Sequence, residues 1–320
     1  MLTKKKPKVA QWSAAFVLLA IVLCFCACTS SQKAPEQPAQ AAQKTFASLD
    51  DAAKALVEAL KADNREALLA IFGPQSKDLI YSGDAAADKA SFSAFVSDYN
   101  TMHRFRKLTN GNQLLITGAD SKTFPVPLTK NSGGQWIFDS AAGKEELLAR
   151  RIGRNEQAAI DVCAAVADAQ KYYFSQPHDG AKQYAQKFIS DEGKQNGLYW
   201  PSPNGQPQSP LGPLVAYATA EGLKIKPDSH QPFHGYYFHM LDAQGADAKG
   251  AAKNYIVNGK MTGGFAVVAY PAQYNDSGIM TFVINQNGIV YQKNLGQTTD
   301  QIAGTMTEFN PDKTWQAVEQ

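Results

Sequence analysis

Cysteine is scarce in this chain, and its distribution limits the covalent chemistry that the fold can use. Three of the four cysteines, Cys24, Cys26 and Cys28, lie within the first 28 residues, and only Cys163 follows. Loss of the N-terminal segment would therefore leave no pair for an intramolecular disulfide. Cys163 falls in the middle of a predicted helix, on its apolar face, where burial raises the pKa of a thiol and suppresses the thiolate. We interpret Cys163 as a core residue rather than a nucleophile.

The sequence also lacks the well-defined motifs of common catalytic and cofactor-binding sites. The sequence has no G-x-S-x-G elbow, no H-E-x-x-H pair, no Walker loop and no G-x-G-x-x-G turn. Their absence favours a protein that is not an enzyme and that holds no cofactor. Paired acids at Asp50-Asp51 and Glu145-Glu146 lie near predicted helix starts, where they complement the helix dipole.

The chain lacks a strong charge of either sign. Its formal net charge is +2. Four lysines and no acids lie in residues 1–27, so the remainder carries 27 basic and 29 acidic residues, a net charge of −2. A slightly acidic chain gives no electrostatic reason to expect nucleic acid as a partner.

The N-terminal apolar run is too short to cross a membrane as a helix. It extends over residues 12–26, about 15 residues against the roughly 20 that span a bilayer. Lysines precede it, and Ala27-Cys28 followed by polar residues ends it, which is the pattern of a bacterial lipoprotein signal. We predict a signal peptide over residues 1–27 and a lipid on Cys28.

Two residues beside the predicted cleavage site bear on the anchor. Phe25 stands where an aliphatic residue is usual, so an ordinary secretory signal cut after Ala27, or an uncleaved anchor, is an alternative. Thr29 rather than Asp follows Cys28, which favours the outer membrane in a Gram-negative cell. We expect a cell-envelope lipoprotein, on the periplasmic face of the outer membrane in such a cell. Residues 28–45, rich in Gln, Ala and Pro, predict a flexible tether with a root-mean-square reach of about 20–25 Å.

Residues 46–153 are predicted to form an α+β domain led by helices. Ser48 with Asp51 three residues on is an N-cap signal, and Gly73-Pro74 ends a second helix. Pro125 and Pro127 cannot donate to a strand ladder, so their strand should lie at a sheet edge. Helices are predicted from Ser48 onward and over residues 65–72 and 92–99, and a small antiparallel sheet over residues 113–117, 124–128 and 135–138.

Residues 154–320 are predicted to form a second α+β domain, a long helix packed on an antiparallel meander. Helical patterns cover residues 144–152 and 158–174, and Gly153 interrupts them. We place the domain boundary there, although one bent helix across it is an alternative. Strands are predicted over residues 235–241, 254–257, 265–270, 279–285 and 289–293, with turns at Asn258-Gly259 and Asn287-Gly288.

His230, His234 and His239 are the nearest approach to a metal site. Two ligands on one strand need even spacing because side chains alternate between faces, whereas His234 and His239 are five residues apart. We predict no metal and keep the three histidines as candidate site residues only. The aromatic residues on the neighbouring strands are typical of core packing, and a carbohydrate or partner surface would require their outward half to be exposed.

Several segments resemble an uncharacterised bacterial envelope family, the domain of unknown function 2950. They include residues 135–139 (QWIFD), 150–156 (RRIGRNE), 197–201 (GLYWP) and 264–271 (GFAVVAYP). The resemblance extends from about Phe46 to the C-terminus and implies no mechanism. Residues 155–173 are also similar to the helix of type IV pilin-like proteins, which implies a pilin-head-like fold for the second domain. A prepilin-type N-terminus is missing.

These patterns predict an exported, lipid-anchored binding or interaction module. Its partners would be the membrane, through the lipid on Cys28, and an envelope protein or polymer. One alternative is an envelope hydrolase in which His230 or His234 meets an acid from another segment. Another is a small-molecule-binding module formed by the N-terminal domain.

Overall fold

Helices lead into a small sheet in the N-terminal half, as the sequence predicts. The computed structural model describes residues 42–82, 85–202, 208–220 and 231–319, and this part of the chain forms one compact unit. The helices are α1 (Leu49–Lys61), α2 (Arg65–Phe72), α3 (Lys77–Ile80) and α4 (Ala85–Thr101). The strands are β1 (His103–Lys107), β2 (Gln113–Thr117), β3 (Lys122–Thr123), β4 (Leu128–Lys130) and β5 (Trp136–Phe138).

Short polar side chains cap the first two helices. The hydroxyl of Ser48 accepts a hydrogen bond from the backbone N–H of Asp51 at 3.1 Å, which confirms the predicted cap of α1. Asn64 caps α2 in the same way through the N–H of Ala67, at 2.9 Å. Each cap satisfies a donor that the helix leaves unpaired and contributes about 1 kcal/mol.

The first sheet corrects one predicted strand. Its order is β1-β2-β4-β5, with β3 beside β2. The strand predicted over residues 124–128 is wrong, because the chain bends at Pro125 and Val126 and the strand begins only at Leu128. Pro125 and Pro127 cannot donate to a ladder and therefore lie outside it. Consequently β4 lies between β2 and β5 instead of at an edge.

One continuous helix, α5 (Ser140–Ser175), connects the two halves. The predicted interruption at Gly153 is absent, and the alternative of one helix across that position is what the structure has. Gly153 is exposed, and nothing lies within 4 Å of where a Cβ would stand. A glycine in a helix interior costs about 1 kcal/mol relative to alanine, which packing readily offsets. The division into residues 46–153 and 154–320 stays a prediction.

The second half places α5 against an antiparallel sheet. The elements of this half are β6 (Pro177–His178), β7 (Ala181–Lys182), α6 (Gly212–Ala220), β8 (Tyr236–Leu241), β9 (Ala243–Gln244), β10 (Lys253–Asn254), β11 (Ile256–Val257), β12 (Lys260–Met261), β13 (Ala266–Pro271), β14 (Met280–Asn285), β15 (Val290–Asn294), α7 (Thr299–Gly304), β16 (Glu308–Phe309) and β17 (Gln316–Ala317). Five of the strands form the sheet that packs against α5, in the order β17-β15-β14-β13-β8.

Two hydrophobic clusters hold the fold together. The first lies among α1, α2, β4 and β5 and includes Leu56, Leu68 and Phe138. The second fills the space between α5 and the five-stranded sheet and includes Val166 and Val268. Full burial of each such side chain stabilises the fold by about 1.5–3 kcal/mol. The fold class is α+β, as predicted, and no helix in the described ranges is both long and apolar enough to cross a membrane.

Candidate functional site

An uncharged cleft lies between the segment around Trp200 and the first turn of α6. Its volume is about 230 Å³. From Gln195 to Ala220 the sequence contains no charged residue. The described residues that line the cleft are Tyr199, Trp200, Ser202, Gln208, Ser209, Gly212, Pro213 and Ala216. We call it the Trp200 cleft.

Backbone pairing fixes one wall of the Trp200 cleft. Tyr199 donates its N–H to the carbonyl of Phe188 at 2.8 Å, and its carbonyl accepts from the N–H of Ser190 at 2.8 Å. At Gly197 a Cβ would stand 2.7 Å from the carbonyl carbon of Ile189. Only glycine permits this close approach of the two backbone segments. The chain is therefore held rigidly just before Trp200.

Trp200 lines the cleft, and its indole carries a buried, unsatisfied donor. Trp200 is 9% exposed, and its Nε1–H is buried without a hydrogen-bond partner in the described part of the chain. Such a donor costs about 1–3 kcal/mol, so it requires an explanation. An acceptor oxygen of a bound molecule would satisfy it once the indole turns toward the cleft. Hydroxyl, amide and indole groups without a charge suit a neutral, oxygen-rich ligand.

The predicted histidines do not converge in the described residues. His230 lies outside those residues. His234 precedes β8 with a φ of 46°, and its ring contacts that of Phe233. His239 lies within β8, and its Nε2 is 2.8 Å from the carbonyl oxygen of Met306. Within the described ranges, no group of three His, Cys, Asp or Glu side chains is placed to hold a metal ion.

Cys163 lies in the core, as the sequence predicts. Its side chain is fully buried in the cluster beneath α5, and this burial raises the pKa of the thiol to about 12. Tyr236 packs in the same cluster, and burial raises the pKa of its phenol too. The Tyr236 hydroxyl donates to the carbonyl of Met280 at 2.9 Å. Both groups are therefore structural and neutral near pH 7.

The RRIGRNE segment of α5 secures the loop between β13 and β14. Arg151 forms an ion pair with Asp276, and Asn155 donates to the carbonyl of Ser277 at 2.8 Å. Arg150 forms an i,i+4 ion pair with Glu146 at 2.7 Å. Arg151 and Asn155 therefore connect α5 to a loop more than 120 residues away in the sequence.

Glu156 completes this attachment, and sequence reasoning missed its role. One carboxylate oxygen accepts the backbone N–H groups of Ile279 and Met280, at 2.9 and 3.0 Å. A carboxylate can satisfy two donors that the start of β14 would otherwise leave unpaired. The segment therefore has a structural use that its sequence position alone did not reveal.

A second cleft lies between the end of α1 and α4. Its volume is about 250 Å³, and the apolar residues Leu60, Phe92 and Val96 line it together with Lys61, Asp63, Lys89 and Ser93. No residue of α4 is fully buried. This arrangement leaves room for a small amphipathic molecule in the N-terminal half.

The Trp200 cleft was not predicted from the sequence. The signal that was present is the long uncharged run from Gln195 to Ala220, which includes aromatic residues. The cleft itself depends on the pairing of Tyr199 with Phe188 and on the position of α6. Neither follows from local patterns.

The fold and the clefts define a mixed α+β protein built on one long helix, with an uncharged cleft beside its second sheet. The chain belongs to the family described as protein of unknown function (DUF2950), whose family model matches residues 43–318. This confirms the resemblance found in the sequence. A search of curated proteins gave no match, and a search of solved structures gave none either. The similarity to pilin heads is therefore not confirmed.

Proposed function

We propose that the protein is an exported lipoprotein of the cell envelope that acts as a binding module. The observation that carries this proposal is the N-terminal sequence, in which lysines, a short apolar run and Ala27-Cys28 follow one another. A lipid on Cys28 would hold the folded body at the membrane surface. The chain would work by binding an envelope polymer or protein, without a reaction of its own.

The described start of the body supports a tether that ends near residue 42. The side chain of Gln43 donates to the carbonyls of Ile71 and Phe138, at 2.9 and 2.7 Å. Lys44 donates its N–H to the carbonyl of Ala70 at 2.7 Å. The body therefore fixes its own N-terminal end from Gln43, a few residues before the predicted end of the tether at residue 45.

Labelling with a palmitate analogue tests the anchor. The wild-type chain should incorporate the label, and Cys28→Ala should lose it. Cys26→Ala is the matched control. Because Cys26 lies in the predicted signal peptide, its substitution should leave labelling unchanged. Equal labelling of wild type and Cys28→Ala would contradict the proposal.

The Trp200 cleft is the proposed ligand site of the module. Its neutral lining and the unpaired indole N–H support a segment of a neutral, hydroxyl-rich polymer as the ligand. Sedimentation with insoluble cell-wall glycan tests this choice. Trp200→Phe keeps an aromatic ring but removes the donor, so the affinity should fall about fivefold.

Trp136→Phe is the control for the cleft, since Trp136 lies in β5 and does not line it. This variant should sediment as the wild type does. Equal sedimentation of Trp200→Phe and wild type, or no sedimentation of the wild type with the glycan, would contradict the assignment of the cleft.

The cleft between α1 and α4 favours a second candidate function, the binding of a small amphipathic molecule by the N-terminal half. Its apolar residues would take the hydrocarbon part, and its polar lining residues Lys61, Asp63, Lys89 and Ser93 would surround the head group. Quenching of a fluorescent fatty acid on addition of protein, and its loss in Val96→Asp, would support that function.

A further inference from the structure

Basic side chains crowd the exposed edge strand of the first sheet. Strand β1 carries Arg104, Arg106 and Lys107, and all three are exposed. From Met102 to Ala119 the sequence contains no acidic residue. We call these three residues the basic edge. It stands out in a chain whose net charge beyond the predicted signal is slightly negative.

No carboxylate in the described ranges neutralises the basic edge. Arg104 donates only to neutral groups, the hydroxyl of Ser121 at 3.2 Å and the sulfur of Met102 at 3.9 Å. The nearby Lys122, by contrast, is paired with Asp98 at 2.9 Å. The positive charge of β1 is therefore directed to the solvent.

Strand pairing places two of these guanidinium groups on one face. Arg104 lies opposite Ile116, and Ile116 lies opposite Thr123. Directly paired residues share a face of the sheet, and Arg106, two positions along β1, shares it as well. Arg150 reaches this face from α5 and donates to the Thr123 hydroxyl at 2.9 Å. Its charge is partly offset by Glu146.

We propose that the basic edge docks on anionic phospholipid headgroups of the membrane that holds Cys28. The inference rests on the proposed lipid anchor, which keeps the body close to that surface. Exposed guanidinium groups match phosphate in charge and hydrogen-bonding geometry. Each Arg or Lys near an anionic bilayer strengthens binding about fivefold.

The position of the tether is compatible with this docking. Phe46 pairs with Trp136 of β5, so the chain enters the sheet at the edge opposite β1. Four strand spacings separate the two edges, about 19 Å. A flexible tether of the predicted length would reach about 20–25 Å on average. The proposed lipid on Cys28 and the basic edge would then be able to meet the same membrane surface.

Sedimentation with vesicles tests the proposal on the mature chain without lipid, produced from residue 28 with Cys28→Ser. This protein should bind vesicles that contain phosphatidylglycerol, and its binding should weaken as the salt concentration rises. It should not bind vesicles of phosphatidylcholine alone. Replacing the basic edge (R104Q, R106Q and K107Q together) should weaken binding roughly a hundredfold. The control K182Q, K249Q and K313Q removes the same charge elsewhere and should bind nearly as the wild type does.

Three results would overturn the proposal. They are equal binding by the two triple variants, equal binding of the wild type to both kinds of vesicle, and no binding of the wild type at low salt. Aggregation of the basic-edge variant with unchanged vesicle binding would instead assign the charges to protection of an edge strand. Because this assay uses protein without lipid, its failure leaves the palmitate result on Cys28 intact, and the reverse also holds.

Discussion

The thiol of Cys163 lies in a fully apolar environment, and this environment determines its chemistry. Burial raises its pKa to about 12, so at pH 8 the thiol is almost entirely protonated and unreactive. We expect iodoacetamide to leave Cys163 unmodified in the native protein and to modify it in urea. Mass spectrometry of the peptide that contains Cys163 measures both states. Rapid modification of the native protein would show that the thiol is accessible and would contradict its place in the core.

Single residues also show what a sequence can predict. The N-cap at Ser48 and the burial of Cys163 follow from interactions with near neighbours in the chain, and both were found. The role of Glu156 was not predicted, because its partners, the N–H groups of Ile279 and Met280, lie more than 120 residues away in the sequence. A carboxylate on a helix reveals nothing about a loop that packs against it from another part of the fold.

At the scale of elements, α5 offers a matched test of its continuity. Gly153 is exposed with free space around it, whereas a Cβ at Gly143 would stand 2.7 Å from a methyl group of Val126. Gly153→Ala should therefore stabilise the protein by about 0.5–1 kcal/mol. Gly143→Ala should destabilise it by about 1–3 kcal/mol. Urea unfolding measures both changes in the free energy of unfolding.

Both variants replace glycine by alanine in the same helix, yet the expected changes in the free energy of unfolding have opposite signs. The comparison of the two variants is therefore informative. A loss of stability in Gly153→Ala would indicate that the helix does not run unbroken through that position. A neutral Gly143→Ala would mean that Val126 moves aside without cost. Either outcome would change the account of how α5 joins the two halves.

Elements with strong local signals were predicted well, and those set by distant contacts were not. Helix α2 and strand β2 have the predicted bounds, because a cap or an apolar run defines each. The strand over residues 124–128 failed because two prolines force a bend. The break at Gly153 failed because packing on both sides outweighs one unfavourable residue. The Trp200 cleft was missed since it needs the pairing of residues 188–190 with Tyr199.

For the whole molecule, the proposed features follow one another along the chain. A lipid on Cys28 would hold the chain at the membrane, the tether would extend to Gln43, and the body would present the basic edge and the Trp200 cleft. The Trp200 cleft belongs to the second half and the basic edge to the first, so the proposed membrane contact and the proposed ligand site would use different surfaces. The anchor is the central claim, since both the tether and the docking of the basic edge depend on it.

The mass of the N-terminal peptide of the protein, purified from bacterial membranes, tests this claim most directly. We expect the chain to begin at Cys28 and to carry a diacylglyceryl group on its sulfur. A chain that begins at residue 28 with a free thiol, or one that retains residues 1–27, would contradict the anchor.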